Sequence, residues 1–249
     1  MWRDTRLVVL TSVIAAIHAA ALIPFKPIVI LPGVTEVRPG MVLPIVFSIL
    51  FGPAAAWGTA IGNTMGDMFG SLGPGTLFGF LGNLLYGFIP YRVWEVWRGG
   101  APDFRRVTGW AVYLLAALAS SAACALAIGW GIHLLRLFPF VTTAGIILVN
   151  NLLVGLLLGP PLLVALYPRV ARMNLLYRDL SDESLTSHTE GRKRMTRVIS
   201  RGAGLAVAAA GISGIAAGYL AAASGGTDTA ITAAAGPFLL AVLLASLLL

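Results

Sequence analysis

Residues 41–91 read MVLPIVFSILFGPAAAWGTAIGNTMGDMFGSLGPGTLFGFLGNLLYGFIPY, and Asp67 is their only formal charge. A stretch this apolar points to lipid as its solvent, since a hydrocarbon core about 30 Å thick is crossed by roughly 20 apolar residues in a helix. In lipid the backbone groups pair only in helices or closed barrels. The apolar residues here are continuous rather than alternating, which selects helices. The stretch is too long for one helix and is punctuated at Gly52-Pro53 and Gly73-Pro74-Gly75. It divides into three short spans, Met41–Ala56, Trp57–Leu72 and Gly75–Tyr91.

Upstream, Leu7–Ile23 forms a first span closed by Pro24 and Pro27. Arg3 and Arg6 before it and Ala19–Ala21 within it imitate a secretory signal, but the apolar run is too long and further spans follow, so it reads as a retained helix. Downstream lie Thr108–Leu135 and Val141–Tyr167, the latter with a bend expected at Pro160-Pro161. A last pair, Gly202–Ala223 and Ala230–Leu249, turns around Ser224–Asp228. The expected fold is an all-α integral membrane protein: a six-helix core over 1–170, a basic segment over 171–201 and a two-helix hairpin over 202–249. Of the 249 residues 58% are hydrophobic and 11% charged, too little charge to cover a soluble surface.

The net charge of +7 comes from basic residues in short segments between apolar runs, a pattern of loops facing anionic lipid rather than nucleic acid. The clusters are Arg3 and Arg6, then Arg92, Arg98, Arg105 and Arg106, then the segment from Arg169 to Arg201. Basic clusters collect on the inner side, so a multi-pass cell-membrane protein with both termini cytoplasmic is expected. An odd number of crossings then lies between 41 and 91, and length favours three. The single Cys124, within an apolar run, excludes a disulfide framework or a cysteine metal cluster.

Small residues recur at every fourth position: Gly58, Gly62, Gly66 and Gly70, then Gly75, Gly79, Asn83 and Gly87, then Asn151, Gly155 and Gly159. Such stripes let helices approach closely in lipid. The first span carries two neighbouring small-residue stripes, Ala15 with Ala19 and Ser12 with Ala16 and Ala20, a docking surface for another helix. Asp67 has Asn63 one turn earlier on the same face; substrate contact and interfacial solvation are both open for it. Asn83, Asn150 and Asn151 are amides within spans and need partners. Singly each reads as a helix–helix bond, and together they suggest a polar pocket. Glu36 and Arg38 form either a surface pair or a rim that recognises a polar ligand. Trp57 is a stacking ring or an interfacial anchor, and Tyr86, Tyr91, Trp94 and Trp97 read as an inner aromatic belt.

His18 reads as packed or cavity-facing, having no second ligand at metal-binding spacing. Gly211-Ile212-Ser213-Gly214 imitates the G-x-S-G of an intramembrane serine protease, but that chemistry needs a later histidine and the last one is His188. There is no H-E-x-x-H and no G-x-x-x-x-G-K-[ST], so neither zinc-protease chemistry nor P-loop nucleotide binding is indicated. The sequence calls for no cofactor, and an enzyme would need more convergent groups than Asp67 and His18 on separate helices.

From Pro32 to Trp94 the chain carries Pro-Gly-Val-Thr-Glu-Val-Arg-Pro-Gly at 32–40, Leu-Phe-Gly-Pro at 50–53 and Gly-Asn-x-x-Gly-Asp at 62–67. Leu-Gly-Pro-Gly at 72–75, Phe-Gly-Phe-Leu-Gly-Asn at 78–83 and Ile-Pro-Tyr-Arg at 89–92 follow. This resembles the substrate-binding S components of energy-coupling factor (ECF) transporters, and the hydropathy plan agrees with them to about residue 170. The resemblance implies six helices, a vitamin-like small-molecule substrate bound near the outer face, and a first outer loop, here 26–40, that helps cover it. It further implies a transmembrane T component packed on Ala15 and Ala19, and two cytoplasmic ATPases. A queuosine precursor or another vitamin-like heterocycle fits a pocket with few ionisable groups. The basic segment and the hairpin depart from the family pattern. The readings that compete are a membrane-embedded enzyme and a membrane scaffold without transport activity.

Overall fold

The break in the long apolar stretch falls at Gly52. In the computed structural model, which describes residues 4–25, 29–31, 35–36, 38–70, 72–181 and 190–249, and only the backbone of 29–31, 35–36, 181 and 190–197, α2 spans Val42–Phe51 and α3 spans Pro53–Asp67. Gly52 has φ 57 and ψ −130, a conformation that an L side chain rarely adopts. Pro53 then starts α3 with its fixed φ and no N–H to leave unpaired. The boundary expected at Ala56/Trp57 is therefore corrected by a turn. A Cβ on Gly52 would also come within 2.6 Å of the Tyr177 ring.

The other helices are α1 (Thr5–Leu22), α4 (Thr76–Trp97), α5 (Val107–Leu134), α6 (Phe140–Arg172), α7 (Tyr177–Ser181), α8 (Glu190–Ala223) and α9 (Asp228–Leu248). Asp4 caps α1 by accepting from Arg6 N–H, and Thr227 caps α9 by accepting from Ala230 N–H. α6 runs through Pro160, Pro161 and Pro168 without interruption, and α8 begins inside the basic segment, eleven residues before Arg201. A two-residue-deep ribbon, β1 (Val29–Leu31) antiparallel to β2 (Thr35–Glu36), interrupts the helical architecture between α1 and α2.

Among the described residues, five segments are long and apolar enough to cross a bilayer: Thr5–Phe25, Val107–Leu134, Phe140–Leu180, Val198–Ala223 and Asp228–Leu248. α2 and α3, at 10 and 15 residues, each fall short of a full crossing. Of the three spans expected between 41 and 91, only α4 has the length of a full crossing.

α1 packs on α3, α3 on α4, α4 on α5 and α5 on α6, while α2 wedges between α4 and α6. α8 and α9 pair and cover α5. α5 is thus enclosed on nearly every side, which its alanine-rich run Ala116–Ala127 permits by keeping its surface shallow. Tyr86, Tyr91 and Trp94 are buried, so the aromatic belt expected of them is a set of core residues instead. Tyr86 donates to Asn151 O at 3.2 Å, and Trp94 donates to Gly100 O at 3.0 Å.

α2 is tied to α4 by one hydroxyl. Ser48 Oγ donates to Gly87 O at 2.6 Å and accepts from Tyr91 N–H at 2.9 Å, inserting into the α4 ladder beside Pro90. Ser48→Ala would leave both backbone groups without this partner. We expect it to lower unfolding free energy by about 1–2 kcal/mol, measured by thermal unfolding in detergent. An unchanged melting temperature would show that the α4 ladder closes by itself.

Candidate functional site

The end of the bundle where α3 stops and α4 starts holds a cavity of about 350 Å³. Each helix contributes residues at helical spacing. α3 supplies Asn63 and Asp67, α4 supplies Thr76, Gly79 and Asn83, and α5 supplies Cys124, Ile128 and Ile132. α6 adds Ile147, Asn150 and Asn151, and Arg38 and Met41 enter from the segment before α2. The α3–α4 connection and Leu137 and Phe138 of the α5–α6 turn complete the lining.

Arg38, Asn63 and Asp67 form one polar network. Arg38 Nη1 donates to Asn63 Oδ1 at 3.1 Å. Asn63 Nδ2 donates to Asp67 Oδ2 at 3.3 Å. Arg38 Nη2 stands 4.0 Å from Asp67 Oδ1. The carboxylate is buried, with Asp67 6% exposed, which removes simple interfacial solvation as its explanation. Gly79 makes room for this network, since a Cβ there would lie 3.2 Å from Asn63 Nδ2 and 3.6 Å from Asp67 Oδ2.

On the other walls, two amides keep hydrogen-bonding capacity in hand. Asn83 Nδ2 donates to Gly79 O at 2.9 Å, which turns Oδ1 to the other side, where it meets no donor among the described residues. Asn151 Oδ1 accepts from Asn150 Nδ2 at 3.4 Å, and the Asn151 side chain lies against the Cys124 thiol, with no nitrogen or oxygen acceptor for Nδ2 among the described residues. Both side chains are buried in the cavity wall. A buried amide group left unmatched is costly, which marks this wall as one carrying polar groups that the chain's described residues do not fully pair.

The structure thus gathers Arg38, Asn63, Asp67, Asn83, Asn150 and Asn151 around one space. The side chain of Glu36 lies outside the described residues; its backbone is in β2, two positions before Arg38. Residues 26–28, 32–34 and 37 of the first loop also lie outside them, as does His188. Trp57 does not line the cavity and meets Phe80 edge-on at 6.2 Å. His18 is buried against α3 and does not line the cavity, and no hydrogen-bond partner reaches its ring nitrogens among the described residues. The apolar lining from α5 and the α5–α6 turn was missed in the sequence. Its signal, Cys124, Ile128 and Ile132 at every fourth position, is identical to that of an ordinary packed helix. Among the described residues no three of His, Cys, Asp and Glu come together as a metal site.

Ala15 and Ala19 are each 3% exposed and face α3 within the chain, where a Cβ on Gly62 would come within 2.6 Å of Ala15 O. The close approach they permit is used inside the chain, against α3. Ser12, Ala16 and Ala20 are the small residues that α1 leaves exposed.

The family model described as QueT transporter matches residues 8–168. The chain belongs to the QueT transporter family. It is accordingly a transporter S component, and the cavity with all its lining residues falls inside the matched region of this QueT-family chain. No curated protein and no solved structure matches it. α7, α8 and α9 follow the end of the family match.

Proposed function

We propose that this QueT-family S component binds a queuosine precursor or a closely similar heterocyclic base in the cavity between α3, α4, α5 and α6, for import driven by a T component and two ATPases. The observation that carries this reading is the gathering of the Arg38–Asn63–Asp67 network and the amides of Asn83, Asn150 and Asn151 around one cavity. A lactam or amidine edge offers both a donor and an acceptor, which suits a wall that carries several amides. Asp67 suits an amino group, and Ile128, Ile132 and Phe138 suit the flat faces of a ring. The volume lies at the small end of small-molecule pockets, as a free base rather than a bulky conjugate requires. In the orientation given by the basic clusters, both termini are cytoplasmic and the cavity opens at the outer face.

The test is a thermal-shift and calorimetric titration of the purified chain with queuosine precursor bases, guanine and unrelated vitamins. At a free concentration one hundred times Kd, a true ligand should stabilise the fold by about 2.7 kcal/mol. Stabilisation by the deazapurine or purine bases alone supports the reading. A folded protein that responds to none of them would return the cavity to a packing defect and favour a scaffold.

A further inference from the structure

α5 is a wall shared between the cavity and the C-terminal hairpin. Cys124, Ile128 and Ile132 face the cavity. Ala122, Leu126, Trp130 and His133 of the same helix face α8 and α9. Gly211 is seated on Ala122, with a built Cβ only 2.9 Å from the alanine Cβ, and Gly214 is seated on Leu126 in the same way at 2.8 Å. Trp130 Nε1 donates to Thr232 O at 3.1 Å, and His133 Nε2 is 3.3 Å from Asp228 O and 3.9 Å from its carboxylate.

The hairpin also grips the far side of the α5–α6 turn. Gly218 lies against the Phe140 ring, and Tyr219 Oη donates to Val141 O at 2.7 Å. Between these anchors lie Leu137 and Phe138, which line the cavity, and Arg136, whose φ of 56 is a left-handed conformation unusual for a non-glycine residue. Such a turn persists where its surroundings hold it. On the α4 side, Trp130 meets Phe78 edge-on at 6.1 Å, next to the cavity residue Gly79.

We infer that the α8–α9 hairpin is a clamp on the binding cavity: it sets the position of the α5 wall and the α5–α6 turn, with Trp130 and Tyr219 as positioning residues. The inference rests on the reading above that this cavity takes the substrate. The physical basis is directional. Apolar helix faces slide past one another in lipid at little cost, whereas a Trp or Tyr hydrogen bond to a helix backbone fixes register. Both bonds flank the left-handed turn at Arg136, next to the cavity residues Leu137 and Phe138.

Cys124 is the only cysteine and lies in the cavity wall, so its modification rate reports opening of that wall. The experiment compares labelling by a small methanethiosulfonate in the full chain with that in Trp130→Phe and Tyr219→Phe, which keep the rings and remove the donors. Ser200→Ala is the control. It removes the Ser200 Oγ bond to Leu248 O, 3.0 Å long, at the opposite end of the same hairpin. Labelling should be about fivefold faster in the first two variants, the change in opening equilibrium that loss of one hydrogen bond brings. It should stay at the parental rate in the control. Parental rates in both Trp130→Phe and Tyr219→Phe, or an equal rise in all three variants, would overturn the inference; if one of the two fails to fold, the other decides. Failure of the substrate reading has its own signature: saturating queuosine precursor base would then leave the labelling of unmodified protein unprotected.

Discussion

Asp67→Ala should weaken binding of the base by about a hundredfold, since truncating one partner of a buried hydrogen-bonded charge pair costs about 2–5 kcal/mol. Asp67 accepts from Asn63 Nδ2 and faces the Arg38 guanidinium across 4.0 Å, all within a wall lined by apolar side chains. Its removal takes away the carboxylate that would meet an amino group and also the anion that balances Arg38. Arg38→Ala should give a loss of similar size for the mirrored reason. Asp67→Asn keeps an oxygen for Asn63 but not the charge, so it should cost about tenfold, one step of roughly 1.4 kcal/mol. Calorimetric Kd values for the three variants check this order. If Asp67→Ala binds as well as the parent, the network is a structural tie between Arg38 and α3 and the substrate lies elsewhere.

Gly62→Leu should be the most damaging single substitution in the α1–α3 contact. A Cβ at this position would lie 2.6 Å from Ala15 O and 3.0 Å from His18 Cβ. The first of these is backbone, so relief requires moving the whole of α1. Overpacking of this kind costs about 1–3 kcal/mol and more where no side chain can yield, and we expect about 3 kcal/mol. Gly66→Ala supplies the contrast one turn later on the same stripe. A Cβ there would meet Leu22 at 3.4 and 3.5 Å, which is ordinary contact. The better helix propensity of alanine, about 1 kcal/mol over glycine, then makes it neutral or stabilising. Thermal unfolding of both in detergent separates them, and equal losses would mean that α1 approaches Gly66 as tightly as it does Gly62.

These contrasts mark what could be read in advance. The glycine stripes announced close helix contacts because only small residues permit them, but Gly62 and Gly66 look alike in sequence and differ by the atoms opposite them. Gly52-Pro53 was visible as a break, yet the helix boundary was set a turn too late, because Ala54–Ala56 continue equally well in either helix. Tyr86 and Trp94 looked interfacial because aromatic residues near a span end usually are. Burial against α6 and the Gly100 carbonyl decided otherwise.

The cavity shows the same division. Asn63, Asp67, Asn83, Asn150 and Asn151 stood out because polar groups in an apolar run need a reason to be there, and that reason does not depend on knowing their neighbours; Arg38 stood out only as a rim residue of the first outer loop. Ile128, Ile132 and Cys124 carried no such mark. An apolar residue lining a cavity and one filling a core have the same sequence signature, and only the space in front of them differs.

By itself the sequence determined the solvent, the helical class and the polar half of the site. Continuous apolar runs leave the backbone no other way to pair in lipid, and isolated polar groups in those runs are too costly to be incidental. Tertiary structure alone decided which stripe of α1 is used inside the chain, where the apolar wall lies, and that the hairpin closes over α5. Those outcomes depend on which surfaces meet at distances of a few ångströms, and helices of similar apolar composition can meet in many ways.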